Sequence, residues 1–428
     1  MATFNAGFGL SDITPKLGCK LVGYGGRDTG AIAVHDRLSA RALVMEDENG
    51  CWAIVSCDLC YLFAITVDEI RQAVRRRLGL AAERIFVATT HTHAGPHDRH
   101  ADNWERPLAE IVADAVEAAY RSRRPARLGS GYGFLYGHSI NRRWLDRPVD
   151  PGIAVLRVDD ADGNILGLFT NFACHAVVMG SDNLQISGDW PGYAIAKLES
   201  TLGPNTTCLF TQGGAADVNP LVTGVRKRLR SDHTVVAIGN VSAYYGAADD
   251  PQRWNIGDRG GGTFAEAAEL GEAFAEEVAY IARTITTAPT SRPLWSESVV
   301  VNAAADPGEH PQRPAPPLAT EKPLIGDETN IPAEIMMLGV GDMALVGQPG
   351  EVFGETAVDL KIRLRAMGYR TPALVSYANG FLLYLPVPDA FGEGGYEPGW
   401  AVSLGISKQF QPRVWQAIEP VLQRRAQS

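Results

Sequence analysis

Apolar and polar positions along the chain follow two periods, which predicts helices and strands in alternation. Apolar residues three or four positions apart predict helices over residues 67–78, 108–120, 189–202, 264–285 and 352–365. Short apolar runs between turn residues predict strands over residues 41–45, 52–56, 84–89, 153–158, 165–170, 208–211, 373–377 and two within 333–345. Hairpins mixed with helices in this way favour a layered α/β fold with a mixed sheet.

Composition and charge exclude several classes of partner. The chain has 428 residues and a formal net charge of -10, which argues against binding to nucleic acid or to an anionic membrane. No apolar run approaches the roughly 20 residues of a membrane span, so no stable membrane insertion is expected. The six cysteines are thinly spread, and residues 1–8 lack the pattern of a secretory signal. We therefore expect a cytoplasmic protein with reduced thiols, acting on a small molecule.

Polar residues of the types that bind metal ions or take part in catalysis recur just beyond the ends of predicted strands. His91 and His93 follow the strand over 84–89, and His175 follows the strand that begins at 165. Glu351 comes soon after the last strand within 333–345. Strand ends of a sheet tend to converge on one crevice, so these residues are predicted to share one pocket.

The pair His91 and His93 has two interpretations. Alternate residues of an extended segment point the same way, so the two imidazoles can hold one metal ion or divide ligand and proton-transfer roles. The other interpretation is a polar surface loop with two chance histidines. Four of the nine histidines fall within residues 91–100, which favours a metal or catalytic site. Zinc is the ion expected for imidazole and carboxylate ligands in a hydrolase.

Other candidates are weaker. His175 alone is equally consistent with a structural histidine, and Asp189 is interpreted as a helix N-cap. Cys57 and Cys60 have the spacing of a redox or zinc pair but no second pair, which favours a structural origin. The glycines at 260–262 lack the residues of a phosphate loop, and no serine has the context of a nucleophile elbow.

Residues 90–96, with the sequence THTHAGP, resemble the signature of the neutral (non-lysosomal) ceramidase family, zinc amidases that cleave the N-acyl bond of ceramide. Further segments resemble motifs of that family in the same order: 9–15 (GLSDITP), 35–44, 139–142 (SINR), 186–194 (ISGDWPGYA), 212–220 (QGGAADVNP), 348–351 (QPGE) and 378–384 (ANGFLLY). The resemblance runs from about residue 6 to residue 400. Each motif alone is modest, but the ordered set is specific.

The resemblance implies the fold of the ceramidase catalytic domain, as a single zinc hydrolase domain over residues 1–428. It implies a cytosolic relative without the immunoglobulin-like domain that follows in known ceramidases. His93 would lie beside the reacting water and steady the oxyanion, and Arg142 would hold substrate or order the site. The implied zinc (Zn2+) ligands are His91, His175, Glu351 and Tyr384, the last of which rests on the resemblance alone.

One departure from the family concerns Asn219, which stands where the family has serine. This change leaves room for attack by metal-activated water but not by a serine at this position. We therefore expect zinc-dependent hydrolysis of an amide bond in a small soluble substrate. A zinc esterase or lactonase and a non-catalytic binding protein remain as alternatives. Residues 222–262 have no counterpart in the resemblance and are interpreted as a lid, an insertion or a contact within a homo-oligomer.

Overall fold

The computed structural model describes residues 4–25, 27–144, 147–223, 226, 262–289, 292–310 and 329–427. The predicted lid or insertion at 222–262 lies almost wholly outside the described residues.

The larger sheet contains eight strands: β1 (Asn5–Asp12), β3 (Ser39–Asp47), β4 (Gly50–Cys57), β5 (Ile85–Thr89), β6 (Arg124–Phe134), β8 (Gly152–Asp160), β9 (Ile165–Phe172) and β11 (Thr207–Gln212). Their order is β11-β9-β8-β6-β1-β3-β4-β5. The outermost pairs, β4 with β5 and β9 with β11, are parallel, and the inner pairs are antiparallel. The predicted mixed sheet is thus confirmed.

A second sheet has the order β13-β14-β15-β17, formed by β13 (Trp295–Asn302), β14 (Pro332–Val340), β15 (Met343–Gly347) and β17 (Thr371–Val375). Short two-stranded ladders complete the strands of the described residues. They join β2 (Ala33–Val34) to β10 (Gln185–Ile186), β7 (Ser139–Asn141) to β12 (Val218–Pro220), and β16 (Glu351–Val352) to β18 (Tyr384–Leu385).

The helices are α1 (Ala64–Leu78), α2 (Leu108–Arg121), α3 (Asp189–Leu202), α4 (Phe264–Thr284), α5 (Gly354–Ala366), α6 (Pro388–Glu393), α7 (Tyr396–Leu404) and α8 (Phe410–Ala426). All five predicted helices are confirmed, with bounds shifted by at most three residues. The sequence does not predict strands β6 and β13, the strands of the short ladders, or helices α6, α7 and α8. Within the described part of the chain, no helix combines the length and apolarity needed to cross a membrane.

The layers follow from the alternation of side chains along each strand. Leu43 and Leu209 of the first sheet pack with Met336 and Leu345 of the second sheet in one buried cluster. The outer face of the first sheet packs against α1 and α2 at one end and against α3 and α4 at the other. The outer face of the second sheet packs against α5 and α8. The order of layers is therefore helix, sheet, sheet, helix.

Gln212 at the end of β11 ties together two loops that leave distant strands. Strand β11 lies against β3, β4 and β5 as well as beside β9, which brings the two edges of the sheet together. The Gln212 side-chain amide donates to the carbonyl oxygens of Thr90 (3.1 Å) and Cys174 (2.7 Å). Its side-chain oxygen accepts from the backbone N–H of Cys174 at 3.3 Å. One buried side chain therefore fixes the residues that immediately precede His91 and His175.

We predict that Gln212→Leu lowers the free energy of unfolding by roughly 1–3 kcal/mol, because it leaves buried carbonyl groups without their donor. Urea denaturation checks this prediction. Gln423→Leu is the matched control, since Gln423 is exposed on α8, and its effect should stay within about 0.5 kcal/mol. Equal stabilities of the two variants would contradict the bridging role.

Candidate functional site

His91 is held in a strained backbone conformation just after β5. Its φ of 64° lies in the left-handed region, which costs a residue other than glycine on the order of 1–3 kcal/mol. Its backbone N–H donates to the carbonyl of Leu59 at 2.9 Å. Its Nδ1 lies 2.7 Å from the carbonyl oxygen of Cys60. A carbonyl only accepts, so Nδ1 carries the proton and Nε2 presents a lone pair.

His175 is oriented in the same way by a different loop. Its backbone N–H donates to the carbonyl of Val218 at 3.0 Å, and its Nδ1 donates to the carbonyl of Ala215 at 2.6 Å. Its own carbonyl accepts from the indole N–H of Trp190 at 3.0 Å. The imidazole is completely buried, and its Nε2 also presents a lone pair.

The structure brings His91, His175 and Glu351 together. The two Nε2 atoms lie 3.0 Å apart. The Oε2 atom of Glu351 lies 3.4 Å from Nε2 of His175 and 3.7 Å from Nε2 of His91. Burial lowers the pKa of each histidine to about 3, so both rings are neutral near pH 7. Two lone pairs and a carboxyl group therefore face one point with no proton between the rings.

This arrangement fits a divalent metal ion. Two imidazole nitrogens and a carboxyl oxygen form a donor set typical of zinc, and atoms bound to one zinc ion at about 2.0–2.2 Å lie within roughly 4 Å of one another. The three donor atoms of His91, His175 and Glu351 lie between 3.0 and 3.7 Å from one another, which satisfies that limit. The hydrogen bonds from Nδ1 to backbone carbonyls fix the tautomer that a metal ligand needs.

Tyr384 reaches the cluster through a very short pair of strands. In the parallel ladder of β16 and β18, Glu351 stands directly opposite Tyr384. The backbone N–H of Glu351 donates to the carbonyl of Leu383 at 2.7 Å. Burial raises the pKa of Tyr384 well above its usual range, so the phenol keeps its proton. Two residues that are far apart in the sequence therefore share one wall of the site.

Arg142 lies behind Tyr384, after β7. Its guanidinium donates to Glu397 (2.7 Å), to the side-chain oxygen of Asn219 (3.2 Å) and to the phenol oxygen of Tyr384 (3.1 Å). Glu397 also accepts from Arg143 at 2.9 Å. Burial alone would raise the pKa of Glu397, but the two guanidinium groups hold it below its ordinary value. Arg142 is thus a fixed, ion-paired cation.

His93 lies beside the candidate metal ligands, but its ring nitrogens have different surroundings from those of His91 and His175. Its Nε2 is 3.0 Å from Nε2 of His91, whereas its buried Nδ1 has no hydrogen-bond partner among the described residues. A Cβ atom at Gly23 would lie 2.5 Å from Nδ1, so that side of the ring is closed. We assign the proton of His93 to Nε2, which faces the cluster. Burial lowers its pKa well below the usual range, so His93 is neutral.

A cavity of about 540 Å³ opens above these side chains, which is an ordinary size for a small-molecule site. His91, His93, Glu351 and Tyr384 all line it. His175 is not among its lining residues, and it approaches from below the surface.

Two neighbours of the cluster were missed by the sequence analysis. The ring of Tyr377 stacks on His91 with centroids 3.9 Å apart, and its hydroxyl donates to Glu351 at 3.4 Å. Tyr377 stands two residues beyond β17, so the strand-end pattern was the available signal, but the predicted strand included it. Arg27 is buried and donates to the carbonyls of His93 (2.5 Å), Gly180 (3.1 Å) and Ser181 (3.2 Å). It fastens the loops around the cavity to one another.

The interpretation of Asp189 as a helix N-cap is wrong. Gly188 precedes α3 without a side-chain cap, and Asp189 is the first helical residue. Its carboxyl group accepts from the backbone N–H groups of Val178 (3.2 Å) and Met179 (2.9 Å). Asp189 therefore holds the loop that follows His175.

The cysteines have structural surroundings. All six are free, and Cys57 and Cys60 are both buried. Cys60 contributes its carbonyl to the orientation of His91, which agrees with a structural interpretation of this pair.

Comparisons with known proteins concern the family and the fold of the chain. Residues 4–236, more than half of the chain, match the family described as neutral/alkaline non-lysosomal ceramidase, N-terminal. The neutral ceramidase of Mycobacterium tuberculosis is 27% identical over an alignment of 260 residues, and the alignment covers 51% of this chain and 41% of that protein. Neutral ceramidase B of Dictyostelium discoideum is 29% identical over an alignment of 261 residues, and the alignment covers 52% of this chain and 36% of that protein. The chain thus aligns with well under half of the length of these relatives.

The crystal structure of the neutral ceramidase from Pseudomonas aeruginosa superposes on the whole chain. The superposition has a TM-score of 0.76 at 19% identity and covers 75% of that structure. At this identity the likeness establishes the fold, and the family match over residues 4–236 establishes the relationship. The chain belongs to the neutral/alkaline non-lysosomal ceramidase family.

Proposed function

We propose that this chain is a zinc-dependent hydrolase that cleaves the N-acyl amide bond of a small soluble substrate. The proposal rests first on the three donor atoms of His91, His175 and Glu351, which converge within 3.7 Å of one another in a buried site. The proposed zinc ligands are these three residues and Tyr384. Relatives named neutral ceramidase favour an amide over the ester or lactone bonds left open by the sequence. The proposal treats residues 1–428 as one catalytic domain.

A divalent ion at this point supplies Lewis acidity, which polarises a carbonyl group and acidifies water. Tyr384 and Arg142 then act as a unit on the oxygen of the scissile carbonyl. Arg142 donates to the phenol oxygen of Tyr384, and the phenol hydroxyl is hydrogen-bonded to Glu351. The phenol proton therefore lies on the side of the cluster, where it can shift to a developing oxyanion. Because Glu397 and Asn219 hold the guanidinium in place, little reorganisation accompanies the charge as it develops.

His93 supplies the second proton-bearing group. Its Nε2–H faces the cluster, and its low pKa keeps the ring neutral. A neutral imidazole with its proton on Nε2 donates a hydrogen bond to an oxyanion. The proton that the departing amine needs comes from the attacking water. Gly23 closes the opposite side of the ring, which keeps Nε2 directed at the reacting atoms.

The position of Asn219 supports water as the nucleophile. Its side chain is completely buried, and its oxygen accepts from Arg142 at 3.2 Å. The side-chain amide of Asn219 positions the Arg142 cation and has no hydroxyl group that can act as a nucleophile. The substrate therefore has to be attacked by water from the cavity side.

We predict that His91→Ala loses bound zinc and amide hydrolysis together, because it removes one of the converging nitrogen ligands. Zinc per chain can be measured by mass spectrometry and turnover with an N-acyl amide. His35→Ala is the control, since His35 is exposed and lies outside the cavity lining. Turnover at the parental rate by a metal-free His91→Ala protein would contradict the proposal.

We further predict that Tyr384→Phe lowers kcat by about 100- to 1000-fold, the usual cost of losing one oxyanion donor. Tyr396→Phe, whose ring centroid lies 5.6 Å from that of Tyr384, should change kcat by no more than about 3-fold because it is outside the proposed donor set. Steady-state kinetics with a soluble N-acyl amide gives both values. Equal kcat values for the two variants would exclude Tyr384 from the reaction.

A further inference from the structure

Positive charges outnumber negative charges in the lining of the cavity. Among the described lining residues, Lys20, Arg27 and Arg99 carry positive charge, and Glu351 is the carboxyl group that faces them. The whole chain carries a formal charge of -10, so this local excess of cations is not a consequence of composition. A cleft lined by one sign of charge raises the local concentration of ligands with the opposite sign.

Lys20 stands at the edge of this cavity in a well-defined segment. Leu21 forms an antiparallel bridge with Pro96, and the backbone N–H of Val22 donates to the carbonyl of Gly95 at 2.9 Å. This pairing places Lys20 next to the segment that carries His97 and Arg99. Lys20 is exposed, and its ammonium group makes no hydrogen bond or ion pair with the described residues.

Arg99 and Lys16 provide a contrast. Arg99 lines the cavity with its side chain 30% exposed, and part of its charge is balanced by Glu69 at 2.8 Å. Lys16 belongs to the same loop as Lys20 but pairs with Glu105 at 3.0 Å. It does not line the cavity. Lys20, unlike Lys16, is therefore available to pair with an anionic ligand in the cavity.

The remaining wall of the cavity includes four aromatic rings. Tyr61 and Phe381 stack with centroids 4.3 Å apart, and Tyr396 and Trp400 meet edge to face at 6.1 Å. All four rings line the cavity. This surface suits the apolar part of an amide substrate, because aromatic side chains offer a large apolar contact area.

We infer that the substrate is an amphiphilic amide that carries an anionic group, as an N-acyl amino acid does. Lys20, assisted by Arg99, receives the anion, and the aromatic surface receives the apolar chain. This inference rests on the proposed function for the identity of the amide bond. An uncharged amide of the same length would leave the cationic edge without a partner.

The test measures binding to protein freed of metal by a chelator, so that no hydrolysis occurs and no metal competes for the anion. N-octanoylglycine and N-octanoylethanolamine have similar length and differ in charge. Calorimetry should show about 10-fold tighter binding of the glycine compound, with a preference that weakens as salt is added. Equal affinities for the two compounds would overturn the inference.

Variants locate the preference on Lys20. Lys20→Met should reduce the preference for N-octanoylglycine by about 5-fold, which is the effect of one exposed ion pair at the upper end of its range. Lys20→Glu should reverse the preference, and Lys16→Met should leave it unchanged. An unaltered preference in both Lys20 variants would overturn the assignment.

Assays of the zinc-loaded protein separate this inference from the proposed function. If neither compound is hydrolysed while the glycine compound still binds more tightly through Lys20, the hydrolase proposal fails and the anion site stands. If both compounds are hydrolysed with equal kcat/KM and bind equally, the hydrolase proposal stands and the anion site is overturned.

Discussion

The site depends on one constraint, which is that the Nε2 lone pairs of His91 and His175 face each other across 3.0 Å. The Nδ1 protons of His91 and His175 are committed to the carbonyls of Cys60 and Ala215. Neither ring can therefore donate to the other, and burial keeps both from acquiring a second proton near neutral pH. The carboxyl group of Glu351 adds further negative potential at the same point. A divalent cation bound at this point would remove the repulsion, which is the physical basis of the proposed metal site.

Contacts between distant parts of the fold hold His91, His175 and Glu351 in this arrangement. His91 follows β5 at one edge of the eight-stranded sheet, and His175 follows β9 next to the opposite edge strand β11. Gln212 at the end of β11 ties the residues before them together. Glu351 arrives from the second sheet with Tyr384 paired beside it. Left-handed backbone conformations at His91, Tyr377 and Leu383 lie around the same cluster. Such strain is retained where the surrounding structure fixes a residue for a function.

Much of the site was predictable because strand ends carry its residues. His91, His175 and Glu351 follow recognisable apolar strands, and a sheet collects such ends at one place. Tyr384 was beyond this reasoning because its strand has two residues, too few for any periodicity. Its partner Glu351 is also distant in sequence. Only the resemblance to ceramidases pointed to it, and the register of β16 and β18 supplies the physical reason.

Other features were hidden by tertiary packing. Strand β6 was missed because its glycines weaken the strand signal, although they are what lets α4 approach. A Cβ at Gly133 would lie 2.4 Å from the side chain of Ile281 in α4, and one at Gly131 would lie 2.7 Å from Ile285, which directly follows α4. Asp189 was misjudged because its partners, Val178 and Met179, belong to a loop whose path the sequence does not reveal. Local patterns predict elements, whereas long-range hydrogen bonds decide how individual polar residues are used.

The central claim is that a single divalent ion completes the cluster of His91, His175 and Glu351. Anomalous diffraction at the zinc edge, from crystals grown with zinc, tests it most directly. We expect one strong peak within about 2.3 Å of both Nε2 atoms and the Glu351 carboxyl group. Density that shows the two rings in direct contact, with no anomalous peak between them, would contradict it.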